Sequence, residues 1–560
     1  MASLVNRFAS RLARLASFGT RADDPLTTIR ATSSWIESLP AGDAFKSQEA
    51  ILDALKRFNQ TSANYTRDRL AIFMLLDEKS RDLQDTLVRQ YLRNPRMSRP
   101  LESRLWHAVY GLYWEIARGY HAFALHLAGD GNKTDASLPP VTLRAIRAFG
   151  QLLKWRAVRY LPASEKLWLR LHHLYQIAER AGFHRQRQRA YADEAADCSC
   201  ETAYLHVLML ALANAGTLYP RQLDLIDRWL RNWHGLLRLD SRIDLAAHHF
   251  VVDLAADRAP RRLRKPDGGD TLRFWTSDAV VQALRDLDAA LRQGKSPAAL
   301  GLTGAELAAE SLELLEHLQY HWAPLAAREQ RRAPREATKR LVDVTRGLGG
   351  LIRQIEASAA ATGDSPYGEG FAYEEVDDRQ VYGFVSERTR GPGSPVIPTV
   401  AGPSSAVERW VMQDESECGY GAIVESRDKD WLRVGALIGV KRADAREWKV
   451  GVVRRLSRLN DGTSSVGIET LAAAPVPATL RATAAPAYTV NGFDDSGASA
   501  PHPALWLHGD PDTLILDPIH FMAGTVFEID GNGERKRIAL GDPIERAEGW
   551  ARVAAVPVNG

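Results

Sequence analysis

The hydrophobic pattern changes in kind near residue 360, and this change constrains the fold more than any other feature. From about residue 45 to 360, apolar residues recur at steps of three and four, which places them on one face of an α-helix. Leu101–Leu127 is the clearest such segment. Beyond the linker that follows, short apolar runs are separated by turn residues, a pattern typical of β-strands. A chain of 560 residues exceeds a single core, so the sequence predicts a multidomain α plus β protein.

The helical pattern predicts an all-helical bundle or solenoid-like domain over residues 45–357. No constant repeat period is present, so an irregular helical domain is favoured over a true repeat array. Two runs rich in β-formers, Phe250–Leu254 and Leu272–Trp275, predict a β-hairpin insertion at about 248–276.

Residues 358–405 are rich in Ala, Gly, Ser and Pro and are predicted to be a linker. Short strand-like runs then predict a small antiparallel β-barrel over 406–475. Residues 476–560 form a predicted C-terminal β extension, with a strand at Thr513–Leu516 and a hairpin turn at Asp530–Gly533. The pattern leaves open whether this extension enlarges the first barrel or forms a second one.

The N-terminal segment, residues 1–44, begins with an amphipathic pattern in which apolar and arginine side chains occupy different faces of a helix. The apolar set is Leu4, Phe8, Leu12 and Leu15, and the basic set is Arg7, Arg11 and Arg14. Such a helix is a candidate for peripheral contact with a membrane surface. Its composition also fits an organelle transit peptide, and the third alternative is a first helix that docks on the body of the protein.

Composition argues against several classes of protein. A formal net charge of +3 does not indicate a nucleic-acid binder. No run of about 18 apolar residues predicts a membrane span. Three cysteines are too few for a disulfide framework and fit a reducing cytoplasm, where we expect the protein to reside. Phosphate-loop, zinc-protease and nucleophile-elbow motifs are missing, and Cys198 and Cys200 are spaced wrongly for zinc, so we expect no enzyme, no metal and no cofactor.

One short segment carries a candidate binding site. Asp414, Ser416 and Gly419 form the pattern D-x-S-x-x-G between two predicted strands. The pattern supplies an acceptor carboxylate, a donor hydroxyl and a glycine that permits close approach of the backbone. A carboxylate of this kind can accept two N–H bonds from the Watson–Crick edge of guanine.

Three downstream runs place this motif in a recognisable order: Leu432–Gly435, then Trp448–Arg454 (W-K-V-G-V-V-R), then Val466–Glu469 (V-G-I-E). This order over residues 380–475 resembles a PilZ domain, the bacterial receptor family for cyclic di-GMP. The resemblance implies that Asp414, Ser416 and Gly419 contact guanine. It also implies an arginine motif, R-x-x-x-R, that lies upstream of the barrel and holds the ligand's phosphates. Arginine suits that task because its planar fork pairs with phosphate and its face stacks on bases.

The arginine motif departs from the family pattern. About two dozen residues before Asp414 the sequence offers Arg388 and Arg390, which are spaced R-x-R. We retain both as candidate ligand residues, with Arg454 as a secondary candidate. The full spacing also occurs at Arg442/Arg446 and Arg331/Arg335, as chance alone allows in a chain so rich in arginine.

Two hypotheses of function follow. In the first, the protein is a cytoplasmic cyclic-di-GMP effector whose helical domain relays binding to an unidentified protein partner. Family analogy then suggests an output in motility, biofilm formation or polysaccharide export. In the alternative, the protein is an interaction scaffold or chaperone-like adaptor whose degenerate barrel binds no nucleotide.

Overall fold

The computed structural model describes residues 25–60, 65–94, 97–129, 135–164, 166–194, 196–264, 269–305, 307–323, 336–362, 407–425, 429, 431–459, 462–482, 501–531, 533–547 and 549–558. The chain divides into two compact units, residues 1–330 and residues 331–560. The predicted amphipathic pattern at Leu4–Leu15 and most of the predicted linker lie outside the described residues.

The first unit is helical, as its periodicity predicts. Its described helices are α1 (Ile29–Glu37), α2 (Ala44–Gln60), α3 (Arg67–Arg93), α4 (Arg99–Gly129), α5 (Leu138–Val158), α6 (Leu167–Arg180), α7 (Cys200–Leu212), α8 (Pro220–Trp233), α9 (Asp278–Arg292) and α10 (Ala308–Trp322). Several start at polar caps. The Thr28 hydroxyl accepts the Ala31 N–H at 3.1 Å, and the Ser199 hydroxyl accepts the Thr202 N–H at 3.1 Å, which satisfies donors that a helix start leaves unpaired.

The helices bury one apolar cluster that also encloses paired charges. Lys154 Nζ donates to Asp224 Oδ1 at 2.7 Å and to Asp227 Oδ2 at 2.6 Å, and all three side chains are at most a tenth exposed. Burial opposes the charge of Lys154, but the two carboxylates outweigh it and raise the pKa of Lys154. These ion pairs join α5 to α8 through the core.

A small sheet interrupts the helices where the hairpin is predicted. Strand β1 (Phe250–Asp253) pairs antiparallel with β3 (Leu272–Trp275), so that Phe250 lies opposite Trp275. A two-residue strand, β2 (Arg261–Arg262), adds to the other edge of β1 and gives the order β2-β1-β3. The insertion is therefore a three-stranded sheet.

The second unit begins with an antiparallel sheet of seven strands and one helix. The strands are β4 (Glu336–Ala337), β5 (Leu341–Arg346), β6 (Glu408–Ser416), β7 (Gly419–Glu425), β8 (Leu437–Arg442), β9 (Lys449–Arg458) and β10 (Thr463–Ala472). Their order is β4-β6-β5-β8-β9-β10-β7, and an additional β6–β7 pairing closes six of these strands into a barrel, with the short β4 outside the ring. Helix α11 (Gly347–Thr362) follows β5 and packs on β5 and β8.

The barrel differs from its predicted extent at its beginning. Strands β4 and β5 lie within residues assigned from sequence to the helical domain, yet β5 pairs with both β6 and β8. The predicted strand over Leu432–Val440 starts only at Leu437, because Gly435 adopts a φ of +79° in a turn before it.

Six strands between Val476 and Pro557 form a second, closed barrel. Its strands are β11 (Val476–Ala482), β12 (His502–Leu507), β13 (Thr513–Leu516), β14 (Val526–Gly531), β15 (Glu534–Ala547) and β16 (Trp550–Pro557), in the order β11-β12-β13-β16-β15-β14. The predicted hairpin turn at Asp530–Gly533 connects β14 to β15. Fully buried Leu480, Leu514 and Ile529 belong to its interior.

The two barrels share an apolar contact. Leu351 of α11, Val450 and Val452 of β9, and Leu505 and Ile515 of the second barrel belong to one buried cluster. The Trp550 indole N–H of β16 also donates to the Gly435 carbonyl at 2.9 Å. Residues 331–560 therefore fold as one unit around two barrel interiors and the layer between them.

Candidate functional site

The D-x-S-x-x-G segment forms the hairpin between β6 and β7. Asp414 and Ser416 lie at the end of β6, Gly419 begins β7, and Glu417 and Cys418 make the turn. The register pairs Asp414 with Gly421 and Ser416 with Gly419, and a register shift separates Met412 from Asp414. The motif thus occupies paired strand ends and one tight turn.

Asp414 lies directly against a residue without a side chain. A Cβ atom at Gly421 would stand 2.6 Å from Asp414 Oδ1, closer than any real contact allows. Tyr420 and Ala422, on either side of Gly421, are buried in the barrel. Since side chains alternate along a strand, the Asp414 carboxylate lies on the opposite, outward face of the sheet.

Gly419 is required for a different contact. A Cβ atom there would stand 2.0 Å from the Ile468 carbonyl oxygen on β10, so only glycine fits. The Thr470 N–H donates to the Cys418 carbonyl at 3.0 Å, and the Ser416 hydroxyl donates to the Gly419 carbonyl at 3.3 Å. The hairpin tip is therefore fixed by backbone contacts to β10.

Two arginines, one between β4 and β5 and one at the end of β8, lie near the next carboxylate. Glu415 lies 3.4 Å from a guanidinium nitrogen of Arg340 and 3.8 Å from one of Arg442. On β4, Glu336 pairs with Glu415 and Ala337 pairs with Asp414. The motif strand is thus flanked by β4 on one side and β7 on the other, with two arginines close to it.

The secondary candidate, Arg454, lies on β9, which pairs with the side of β10 opposite the motif hairpin. Its guanidinium contacts Glu469 of β10 and Glu545 of β15. Burial disfavours the charged form, but the hydrogen bonds and charges of Glu545 and Glu469 outweigh it and raise the pKa of Arg454. Arg454 is thus already paired with two carboxylates in the structure. The three motif residues Asp414, Ser416 and Gly419, by contrast, lie together on one hairpin.

Arg388 and Arg390 lie outside the described residues. Strand β5, which was not predicted from the sequence, belongs to the barrel, so the barrel begins well before Arg388 and Arg390 in the chain. The signal in its sequence is the alternation of Val342, Asp343 and Val344, which is typical of a half-buried strand. In the structure the two valines are buried, and Asp343 is more exposed. Of the pairs with R-x-x-x-R spacing, Arg331/Arg335 is the one that immediately precedes this part of the barrel in sequence.

No described helix is both long enough and apolar enough to cross a membrane. Within the same residues, no cluster of three or more His, Cys, Asp or Glu side chains is placed to hold a metal ion.

Comparison with known proteins gives two matches to protein families. Residues 30–244 match the family described as "Cyclic-di-GMP receptor FimW, N-terminal domain", and residues 402–477 match "Cyclic-di-GMP receptor FimW, middle PilZ domain". The cyclic-di-GMP receptor FimW of Pseudomonas aeruginosa is 23% identical over 563 residues, an alignment that covers 90% of this chain and 86% of that protein. The second family match encloses the Asp414–Gly419 hairpin. The chain therefore contains a PilZ domain, and the helical region before it is similar to the N-terminal domain of the cyclic-di-GMP receptor FimW.

Proposed function

We propose that this chain binds cyclic di-GMP on the outer face of the PilZ barrel, at the β6–β7 hairpin. The observation that carries the proposal is the Asp414 carboxylate held over Gly421 on that face. An ionised carboxylate accepts two parallel N–H bonds, and guanine offers two such donors side by side on its Watson–Crick edge. Hydrogen bonds to a charged group contribute about 1.5–3 kcal/mol each.

Glycines extend the surface next to this carboxylate. Gly421 pairs with Gly467 of β10, and Gly419 pairs with Glu469 two residues along the same strands. Residues without side chains let a flat base approach the backbone closely. Ser416, beside Gly419, adds a hydroxyl that can donate to the ligand once its bond to the Gly419 carbonyl is exchanged.

The phosphates require arginines, and two pairs are candidates. Arg388 and Arg390 stay in the proposal as the pair nearest in sequence to the motif. Arg331 and Arg335 have the family spacing, and Arg335 leads directly into β4, whose residue Ala337 pairs with Asp414. Because of that connection, we expect Arg331 and Arg335 to contribute more to binding than Arg388 and Arg390.

The remainder of the proposal concerns output. We propose that the protein is a cytoplasmic receptor without catalytic activity, and that its helical unit passes ligand binding to a protein partner. The family match of residues 30–244 supports a dedicated role for that unit, since it pairs a FimW-type N-terminal domain with the PilZ domain. Relay of this kind requires that the ligand bind one arrangement of the chain more tightly than another.

A calorimetric titration of the full chain with cyclic di-GMP tests the proposal. We expect saturable binding, weakened by roughly 100-fold or more in the double variant Arg331→Ala/Arg335→Ala, because each of the two charge-assisted contacts contributes about 1.5–3 kcal/mol. Arg388→Ala/Arg390→Ala should weaken binding less. Arg446→Ala, an exposed arginine of the same barrel, is the matched control and should bind as the intact chain does.

Absence of binding by the intact, folded chain would overturn the receptor proposal and favour the scaffold alternative. Equal affinity in the Arg331→Ala/Arg335→Ala variant and the intact chain would remove that pair from the site. A larger loss of affinity in Arg388→Ala/Arg390→Ala than in Arg331→Ala/Arg335→Ala would indicate that Arg388 and Arg390 contact the phosphates.

A further inference from the structure

We propose that the ion-pair triad Glu469–Arg454–Glu545 couples occupancy of the β6–β7 hairpin to the second barrel, with Arg454 as a positioning residue rather than a ligand contact. This inference rests on the proposed function, because it needs a ligand at the hairpin. It assigns a role to residues 476–558, a closed barrel that lies almost entirely beyond the matched PilZ region, residues 402–477.

The first step runs from the hairpin to β10. Gly419 pairs with Glu469, and the Gly419 backbone lies so close to the Ile468 carbonyl that a Cβ atom would be 2.0 Å from it. The Thr470 N–H holds the Cys418 carbonyl at 3.0 Å. Because three consecutive residues of β10 contact the hairpin tip, a displacement of the tip by a ligand must move this part of β10 as well.

The second step runs from β10 to β9 and across to the second barrel. Arg454 Nε donates to Glu469 Oε2 at 2.6 Å, and Arg454 Nη2 donates to Glu545 Oε2 at 2.8 Å. Arg454 Nη1 also donates to Glu545 Oε1, so the guanidinium grips the Glu545 carboxylate with both terminal nitrogens. A two-point contact of this kind fixes the orientation of both groups, which a single point charge would not do.

The triad also differs in chemistry from the apolar part of the contact between the barrels. The shared cluster of Leu351, Val452 and Ile515 is apolar, and its contacts are not directional. The bidentate Arg454–Glu545 pair is directional, so a rotation of Arg454 is transmitted to β15 or breaks the pair. Because Arg454 contacts both Glu469 of β10 and Glu545 of β15, it connects a movement of β10 to a movement of the second barrel.

The receiving end of the triad is an irregular part of β15. The register between β15 and β16 shifts between Leu540 and Pro543 and again between Pro543 and Glu545. Ile544, next to Glu545, is 53% exposed. A strand that departs from regular pairing deforms more easily than a continuous ladder, so a pull on Glu545 can change this segment without opening the barrel.

Hydrogen exchange of the full chain, with and without saturating cyclic di-GMP, tests the coupling. In the intact chain we expect ligand to change protection both in β6–β7 and in the Pro543–Ala547 segment of β15. Glu545→Gln keeps the size of the side chain and removes its charge. In this variant the ligand should still change β6–β7, and the change in β15 should be lost. Glu528→Gln, at an exposed glutamate on β14 of the same barrel, is the matched control and should behave as the intact chain.

A titration of each variant separates the possible failures. Glu545→Gln should bind cyclic di-GMP with affinity changed by about tenfold or less, within the range of ordinary coupling between sites. If the intact chain binds ligand but β15 does not respond, or if β15 still responds in Glu545→Gln, the coupling is wrong and the proposed function stands. If the intact chain binds no ligand, the proposed function fails and the coupling fails with it.

Discussion

The two barrels of the second unit are alike in their antiparallel pairing, but they differ in where side chains are missing. The second barrel is closed by six strands and filled by side chains such as Leu480, Leu514 and Ile529, all fully buried. The PilZ barrel also buries side chains such as Leu456 and Val466, and on its motif hairpin it places Gly419 and Gly421 where a strand and a carboxylate approach closely. The PilZ barrel therefore differs by a carboxylate on its outer face, that of Asp414, which occupies the space left by the missing side chain of Gly421.

This difference teaches where function can reside in such a fold. A filled interior stabilises a barrel but offers nothing to a ligand outside it. The outward hairpin has little apolar area to contribute, and its glycines weaken a strand unless a close contact requires them. We therefore expect changes in the second barrel to affect stability, and changes in the hairpin to affect binding.

The largest expected effect is on the stability of the second barrel. Leu514→Ala removes a fully buried side chain from its interior and should lower the free energy of unfolding of that barrel by about 2–5 kcal/mol. Hydrogen exchange of β13 measures the loss, and a titration with cyclic di-GMP below the unfolding temperature should show affinity within about twofold of the intact chain, as for separate sites. Loss of binding in a variant that remains folded would contradict the claim that the interior of the second barrel contributes to stability and not to binding.

A smaller effect, on both properties, is expected at the hairpin tip. Gly419→Ala forces a Cβ atom against the Ile468 carbonyl and should destabilise the PilZ barrel by about 1–3 kcal/mol. Because the backbone of β10 must shift, binding should weaken too. Gly349→Ala is the control: a Cβ atom there meets nothing within 4 Å, and alanine favours the α11 helix, so stability should not fall. Equal behaviour of the two variants in thermal unfolding would contradict the close contact.

The smallest expected effect on stability comes from Gly421→Ala. The new Cβ atom meets the end of the Asp414 side chain, which can rotate away, so the unfolding free energy should change by less than about 1 kcal/mol. The displaced carboxylate should nevertheless weaken cyclic-di-GMP binding by roughly tenfold, equivalent to about 1.4 kcal/mol. Calorimetric titration measures this, and unchanged affinity would show that Asp414 does not need its place over Gly421.

Much of the fold was predictable because the relevant signals are local. The spacing over Leu101–Leu127 predicted helix α4, and the run Thr513–Leu516 predicted strand β13 with its observed bounds. Strand β5 was missed because it is only six residues long, follows a helical domain, and pairs with β6 across an intervening helix and linker. Such non-local pairing leaves no periodic pattern from which to infer the partner strand.

The candidate site was predictable only in part, for a similar reason. The motif spacing identified Asp414, Ser416 and Gly419, but it did not reveal that Gly421 makes room for the carboxylate. The alternating glycines of Gly419-Tyr420-Gly421 were a signal that backbone or side chains approach closely. The partner of Arg454 on the second barrel is 91 residues away along the chain, and no local pattern connects the two. The buried pair of Lys154 and Asp224 likewise joins helices 70 residues apart.

The central claim is that the Asp414 carboxylate reads the Watson–Crick edge of guanine, and base selectivity tests it most directly. The measurement is the ratio of affinities for cyclic di-GMP and cyclic di-AMP in the intact chain, in Asp414→Asn and in Asp343→Asn, a control aspartate on β5 of the same barrel. We predict a preference for the guanine ligand of roughly 100-fold in the intact chain and the control, since adenine lacks the paired donors and a charged acceptor left unmet against the ligand costs about 1–3 kcal/mol or more. Asp414→Asn should lose most of that preference. Equal affinities in the intact chain, or an unchanged ratio in Asp414→Asn, would contradict the account.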